Sequence, residues 1–455
     1  MEPRRTWIVI LGVLGAWLVP NALVAVEDPV VAGYAPPPDP IQASPFSVTV
    51  QGDIPLLVEQ EDVLSVSRCR LTRGPATLSI AISLAGSEPP GTSYEVFPKR
   101  LGLRTVLSPD HRQLRFTLDA ALTTVPRQYL VRMGQRYLAL FIDLPETDSP
   151  GPGDPNVRDV REFLGHRAAT PLQTEDLQAA IDATQRLVGD TLPTLIFPPG
   201  LYRCGTLHVR GSLRIHLADG ARLQGSDDQA DYSGALLDVE GHQGMTFHLT
   251  GRGEIAGNGR ALWERGHHRK TKLVHVRACD HVVIRDVILR DASNWTCYVQ
   301  DSQHVEVDNV KVVSPGHHLW NDAFDVTSCT DYRNSHSFSW SVDDATAIMA
   351  RGAPCDGVVF SDFLGHSECS GSRIGWNSSS AIRNVVFRDC EWSGAGMNAI
   401  AFHQLQKQAT YGNIRFERCR FDRRALTKFL AVFGDNFGPG VFTADGLEFT
   451  GCTWE

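Results

Sequence analysis

Short runs of alternating apolar and polar residues dominate this chain, and their spacing divides it into two unlike parts. From Phe46 to Leu144 the runs are brief, as in Phe46-Ser47-Val48-Thr49-Val50 and Tyr137-Leu138-Ala139-Leu140-Phe141-Ile142, with turn residues such as Glu88-Pro89-Pro90-Gly91 between them. A period of two belongs to half-buried strands, so residues 46–148 are expected to form a small antiparallel β-sandwich. Pro-rich stretches bracket it and read as linkers, one at 26–45 and one at 149–160. The period then changes. Leu177, Ala180, Ile181, Thr184 and Leu187 form an apolar stripe at helical spacing, with Thr174 as the expected N-cap of the one helix foreseen in the mature chain.

Beyond this helix the sequence repeats itself. A large apolar residue, any residue, a polar residue and then an apolar residue or Cys recur around Ile284, Val307, Tyr332, Phe360, Phe387, Phe416 and Phe449, at intervals of 23, 25, 28, 27, 29 and 33 residues. Three residues after these centres stand Val287, Val310, Ser335, Phe363, Cys390, Cys419 and Cys452, and Trp392, Phe421 and Trp454 make a further column. Strand-like patterning on such a period marks a solenoid, whose coils stack equivalent residues about 4.8 Å apart. The fold class expected is therefore all-β: a right-handed parallel β-helix over 161–455, with the helix capping its open end against strand-edge pairing, preceded by the sandwich.

The N-terminus adds a destination. Arg4 and Arg5 precede an apolar run from Trp7 to Val19, then Pro20 and small residues at Ala22 and Ala25. That is the layout of a signal peptide over 1–25, predicting a secreted or periplasmic protein with no membrane attachment after cleavage. An uncleaved anchor is the competing reading. With 43 Lys and Arg against 52 Asp and Glu, the net charge of −9 argues against a nucleic-acid partner. Ten cysteines in an exported chain allow disulfides, but their spacing shows no zinc-type pairs and several fall in the core column. No cofactor or metal site is read, and a monomer is expected.

Polar residues concentrate in the middle coils. Asn321-Asp322-Ala323-Phe324-Asp325, then Asp343-Asp344, then Gly365-His366 follow one another at 21 and 23 residues, close to one coil each. Such spacing brings three carboxylates and a histidine onto one face of adjacent coils. Crowded carboxylates raise one another's pKa, so one can hold a proton while another stays ionised, as glycoside hydrolysis requires. The same aspartates could equally cap turns or hold a structural cation.

From about Gln173 to Phe421 the sequence resembles the polygalacturonase family and the related dextranase–isopullulanase family. The resemblance is carried by Pro198-Pro199-Gly200-Leu201-Tyr202, Gly220-Ala221-Arg222-Leu223-Gln224-Gly225-Ser226, Gly251 to Gly259, Asp291 to Thr296, and the three polar blocks. Asn321 to Asp325 is similar to the family's Asn-Thr-Asp-Gly-Phe-Asp block, shortened by one residue; Ser341 to Asp344 is similar to Gly-Asp-Asp; Gly365-His366 is similar to Gly-His-Gly, with Ser367 replacing the last glycine. The resemblance implies an inverting hydrolase of a polysaccharide or oligosaccharide. It implies Asp343 as general acid, Asp322 and Asp344 as the pair activating water, and His366 beside them. Asn321, Asp325, Arg373, Trp376 and His403 are the expected substrate contacts, with Trp295 as a further candidate for stacking on sugar.

The family's Arg-Ile-Lys motif, which clamps a uronate carboxylate, has no counterpart in Ala395 to Gln404. Its absence, with the N-terminal sandwich, tilts the expected substrate toward a neutral glycan of the dextran or pullulan kind, although Arg373 or Lys407 could replace the clamp. A polysaccharide lyase and a non-catalytic glycan-binding adhesin are the alternatives from other classes. No Lys or Arg lies inside the Asp322 or Asp343-Asp344 blocks to serve as a lyase base.

Overall fold

The computed structural model describes residues 30–34, 36, 42–86, 93–165, 172–267, 270–316, 320–404, 409–422, 428–434 and 444–454. The proposed signal segment, half of the 26–45 stretch and Lys407 lie outside them. Among the described residues no helix is long and apolar enough to cross a membrane.

The alternating runs fold as two facing sheets, one of five strands and one of six. Val48, Val50, Ile80, Ile82 and Phe116 of the first share a core with Leu71, Tyr129, Val131, Leu138 and Leu140 of the second, which is why every second residue is apolar. Two details differ from a purely antiparallel sandwich in 46–148. Arg136–Asp143 pairs parallel to Leu64–Leu71, and Val31–Gly33, inside the expected linker, adds an antiparallel strand to Leu64–Leu71.

The second part is a right-handed parallel β-helix. Sheets of eleven, ten and nine strands run along it, every neighbouring pair parallel and one coil apart. Its first strand, Val157–Asp159, falls in the stretch read as the second linker. The apolar centres do form a ladder: Phe360, Phe387, Phe416 and Phe449 stack at 5.2, 4.8 and 5.1 Å, and Trp392 lies on Phe421 at 4.7 Å. Each repeat's polar position is a corner between sheets. Asp286, Asn309, Asp362, Asp389 and Arg418 all hold φ between 51° and 73°, turning the strand with one left-handed residue.

One coil is misregistered in the sequence pattern. Asn334, not Tyr332, pairs with Val307 and Phe360, so the corner is His336 (φ 49°) and the next ladder position is Ser337 rather than Ser335. A buried Asn at the centre breaks the apolar pattern, and the nearest aromatic, Tyr332 two residues earlier, also points inward. All ten cysteines are free thiols. Cys390, Cys419 and Cys452 direct their Sγ to the carbonyls of Phe360, Phe387 and Phe416 in the coil below.

Helix α1, Thr174–Gln185, closes the first coil with Leu177, Ala180, Ile181 and Thr184 buried. Gln173 is its N-cap; Thr174 is instead the first helical residue, its hydroxyl accepting from the Gly205 amide. A short second helix, α2 at Gly259–Glu264, was not foreseen. The sandwich packs against the ten-stranded sheet. Phe141 meets Phe338 at 5.1 Å and Tyr137 meets Trp340 at 4.8 Å. Buried ions surround this contact: Glu254 pairs with Arg68 of the sandwich and with Arg222 and Arg290 of the β-helix, and sandwich Asp143 pairs with Lys311 and Arg252.

Candidate active site

Two of the polar blocks, Asn321 to Asp325 and Asp343-Asp344, meet where strands of the nine-stranded sheet begin. Phe324 pairs with Thr346, so Asp322 and Asp344, each two residues earlier, stand one rung apart, with Asp343 beside them. Trp295, Trp320, Asp322, Asp325, Asp343, Asp344, Cys369, Arg373 and Trp376 line a cleft of about 200 Å³. A larger cavity of about 920 Å³ on the sandwich has Asp119 as its single acidic lining residue, so it offers no acid–base pair.

Backbone amides hold the carboxylates in place. Asp322 Oδ1 accepts from the Asp344 amide at 3.0 Å, Asp343 Oδ2 from the Trp320 amide at 2.9 Å, and Asp344 Oδ1 from the Ser370 amide at 3.1 Å. Trp320 reaches Asp343 with φ at 88°, a costly conformation for a bulky residue of the kind found at functional sites. Arg373 grips Asp344 with two nitrogens, Nη2 lying 3.1 Å from Oδ1 and Nε contacting Oδ2.

These surroundings make the carboxyls unequal. Burial, then repulsion from Asp343, Asp325 and Asp344, pushes Asp322 well above the usual carboxylate range. Burial and then Asp344 and Asp343 do the same to Asp325. Asp343 is raised too, by burial and then by Asp344, against an opposing pull from Arg373. It is the least buried of the four aspartates. Burial alone would lower the Arg373 pKa, but the Asp344 carboxylate overrides this and raises it. The cleft thus combines a less buried carboxyl of raised pKa with a carboxylate paired to a cation.

Three expected site residues, His366, Asn321 and His403, are not among those that line the cleft. His366 does not line the cleft. Its ring stacks on Trp340 at 3.8 Å and tilts onto Tyr137 of the sandwich at 5.6 Å, and burial lowers its pKa to about 3, with Asp422 and Arg132 as the charges in reach. Period two sends its side chain out of the ten-stranded sheet, toward the sandwich that the motif alone does not reveal. Asn321 is fully buried and acts as a brace: Oδ1 accepts from the Val342 and Asp343 amides, and Nδ2 donates to the Ser314 carbonyl. It positions Asp343 and has no face in the cleft. Trp376 lines the cleft, with Arg373 5.5 Å from its ring and His403 5.1 Å away.

Trp320 and Cys369 escaped the sequence reading, although each lies within three residues of a residue it chose. Asp343, Asp344 and Cys369 offer donor atoms within 4.8 Å of one another. Arg373 already satisfies Asp344 and donates to Cys369 Sγ at 3.2 Å, so a cation there would have to displace a guanidinium.

The model of glycosyl hydrolases family 28 matches residues 195–422, just over half of the chain and the whole of the coils that build the cleft. The protein belongs to glycosyl hydrolases family 28. An exo-poly-alpha-D-galacturonosidase of Dickeya chrysanthemi is 28% identical over 160 residues, covering 30% of this chain and 25% of that protein. A polygalacturonase of Brassica napus is 24% identical over 243 residues, covering 49% and 58%. The chain therefore spans between a quarter and about three-fifths of these curated relatives. In fold, it resembles the family 28 exopolygalacturonase of Yersinia enterocolitica (TM-score 0.52, 12% identity, 83% of this chain and 95% of that one). It also resembles Dex49A of Penicillium minioluteum (TM-score 0.53, 12% identity, 93% and 91%).

Proposed function

We propose that this protein is an exported hydrolase that cleaves glycosidic bonds of a polysaccharide with inversion, acting as a single chain. The observation that carries this reading is the inequality of the cleft's carboxylates: Asp343 has a raised pKa and the most open position, while Asp344 is paired to Arg373. Asp343 protonates the leaving oxygen. Asp344, paired to Arg373, takes the proton from the water on the opposite side of the sugar, and Asp322, one rung away, holds that water, the division of labour an inverting enzyme needs. Asp325 and Trp376 contact the sugar. A lyase is less well supported, because the one basic side chain among the described residues that line the cleft, Arg373, is kept charged by Asp344 and cannot accept a proton. Export rests on the N-terminal sequence.

On the sugar itself two observations pull apart. The absent Arg-Ile-Lys motif favours a neutral glycan, and Arg373 does not replace that clamp because Asp344 already occupies it. The similar galacturonosidase of Dickeya chrysanthemi and polygalacturonase of Brassica napus point to galacturonan. The test is a panel of neutral and acidic glycans with wild type and Asp343→Asn, followed by proton NMR of the first anomer released. Cleavage by wild type alone with inverted product is expected; no cleavage, or equal cleavage by the variant, sinks the hydrolase reading.

A further inference from the structure

His403 stands behind the cleft and not in it. Arg373 pairs with Ala401 in the next coil, and period two turns His403, two residues further on, to the same outer face of the nine-stranded sheet. It is 6% exposed and is not among the residues that line the cleft. Its ring faces Arg373 and Trp376.

A guanidinium has donors only. Arg373 Nη1 therefore donates to His403 Nε2, 3.1 Å away, and that nitrogen presents its lone pair, with the ring proton on Nδ1. Burial, with Arg373 adding to it, lowers the His403 pKa to about 3, so the lone pair stays available at ordinary pH. Nε and Nη2 of Arg373 go to Asp344, and Nη2 also reaches Cys369 Sγ. Among the described residues His403 is the one acceptor for Nη1.

His403 is itself held in place. The Tyr411 hydroxyl donates to its carbonyl, in space that Gly375 leaves open. A Cβ on Gly375 would lie 2.0 Å from Tyr411 Oη and 2.3 Å from the His403 carbonyl oxygen. Trp376, the next residue, sits 5.1 Å from the His403 ring, and the Arg373 guanidinium lies 5.5 Å from its own. A guanidinium gripped along one edge can still pivot about its carboxylate. A third fixed point at Nη1 removes that pivot and fixes the direction in which Asp344 presents its oxygens.

We propose that His403 is a positioning residue: it acts through Arg373, holding the guanidinium so that Asp344 keeps its aim in the cleft, and makes no contact with the glycan. The inference rests on the hydrolase reading for its effect on rate, whereas the hold on Arg373 is measurable without substrate.

The test compares His403→Gln, whose Oε1 can replace Nε2 as acceptor, with His403→Leu, which offers none, both in the full chain. On whichever glycan of the panel wild type cleaves, His403→Leu is expected to lower kcat roughly tenfold or more, within the about 100-fold that a 1 Å misplacement can cost. KM should stay nearly unchanged, and His403→Gln should recover most of the loss. Added to Arg373→Met, His403→Leu should cost nothing further, because residues acting through one another are not additive. In protein labelled on arginine nitrogen, the Arg373 Nε–H resonance, identified by its loss in Arg373→Met, should exchange faster with solvent in His403→Leu and keep its rate in His403→Gln. Melting temperatures report that the variants fold. A rise in KM at unchanged kcat, equal losses in both variants, losses that add to that of Arg373→Met, or unaltered exchange in His403→Leu overturns the proposal. Faster exchange in His403→Leu alone, in a protein whose wild type cleaves nothing, would uphold the hold on Arg373 and overturn the hydrolase reading alone.

Discussion

Arg373 Nη2 lies 3.1 Å from Asp344 Oδ1 while Nη1 lies 3.1 Å from His403 Nε2, so one guanidinium joins a carboxylate of the cleft to the coil beyond it. Its neighbour Asp343 keeps a raised pKa although the same cation opposes the rise. Replacing Arg373 by Met would remove that opposition and drive Asp343 and Asp322 higher. Misplacing a catalytic group by about 1 Å can cost roughly 100-fold, and a loss of that order in kcat is expected. The alkaline limb of the pH–rate profile should also move to higher pH. An unchanged profile with merely weaker KM would show that Arg373 contacts substrate and does not position Asp344.

Asp343→Asn removes the proposed acid without changing its shape. A drop in kcat of about 100- to 10,000-fold is expected, the usual worth of general acid catalysis. A substrate whose leaving group needs no protonation should restore much of the rate. Steady-state kinetics on aryl and native leaving groups would separate this from misfolding; equal losses on both would argue against the acid role.

Asp325 should weaken the fold at neutral pH. Its folded pKa is raised, so its contribution is full below the unfolded value of roughly 3.9 and is lost as pH rises through the folded value. Asp325→Asn is therefore expected to stabilise the protein by about 1–3 kcal/mol near pH 7, with the gain shrinking toward pH 4, while activity falls. Urea unfolding at both pH values reads this directly. A variant less stable at pH 7 than at pH 4, relative to wild type, contradicts it.

Glu254 has the opposite sign. Burial alone would raise its pKa, but Arg290, Arg68 and Arg222 override this and lower it to about 2. Its contribution is thus present above the unfolded value of roughly 4.3 and is lost as pH falls toward 2. Glu254→Gln would take a shared carboxylate from three buried guanidinium groups, of which Arg290 keeps Glu59 and Glu61, at a cost of about 3 kcal/mol. Because Arg68 comes from the sandwich, both parts should melt together. Two separated calorimetric transitions in wild type would refute that coupling.

Much of this was legible in the chain. The coil period could be read because stacking imposes a common inward position on every repeat, as Phe360, Phe387 and Phe416 show. It failed where Asn334 put an amide in that column. The one-coil spacing of Asp322, Asp343 and Asp344 was legible for the same reason, since equal coil lengths bring such residues to one face. The corner residues, seen in the sequence only as a recurrent polar position, owe their identity to a left-handed turn that tolerates Asp and Asn.

The sequence by itself determined the solenoid, the helix over its open end and the three aspartates, because local periodicity and coil length are properties of neighbours along the chain. Only the tertiary structure decided which residues share the cleft. It turned His366 away toward Trp340 and Tyr137, made Asn321 a brace, bound Arg373 to Asp344, and set His403 behind Arg373. Those outcomes depend on which face of a strand points where and on a second domain covering one sheet, and no repeat pattern along the chain encodes the distance between side chains from different coils.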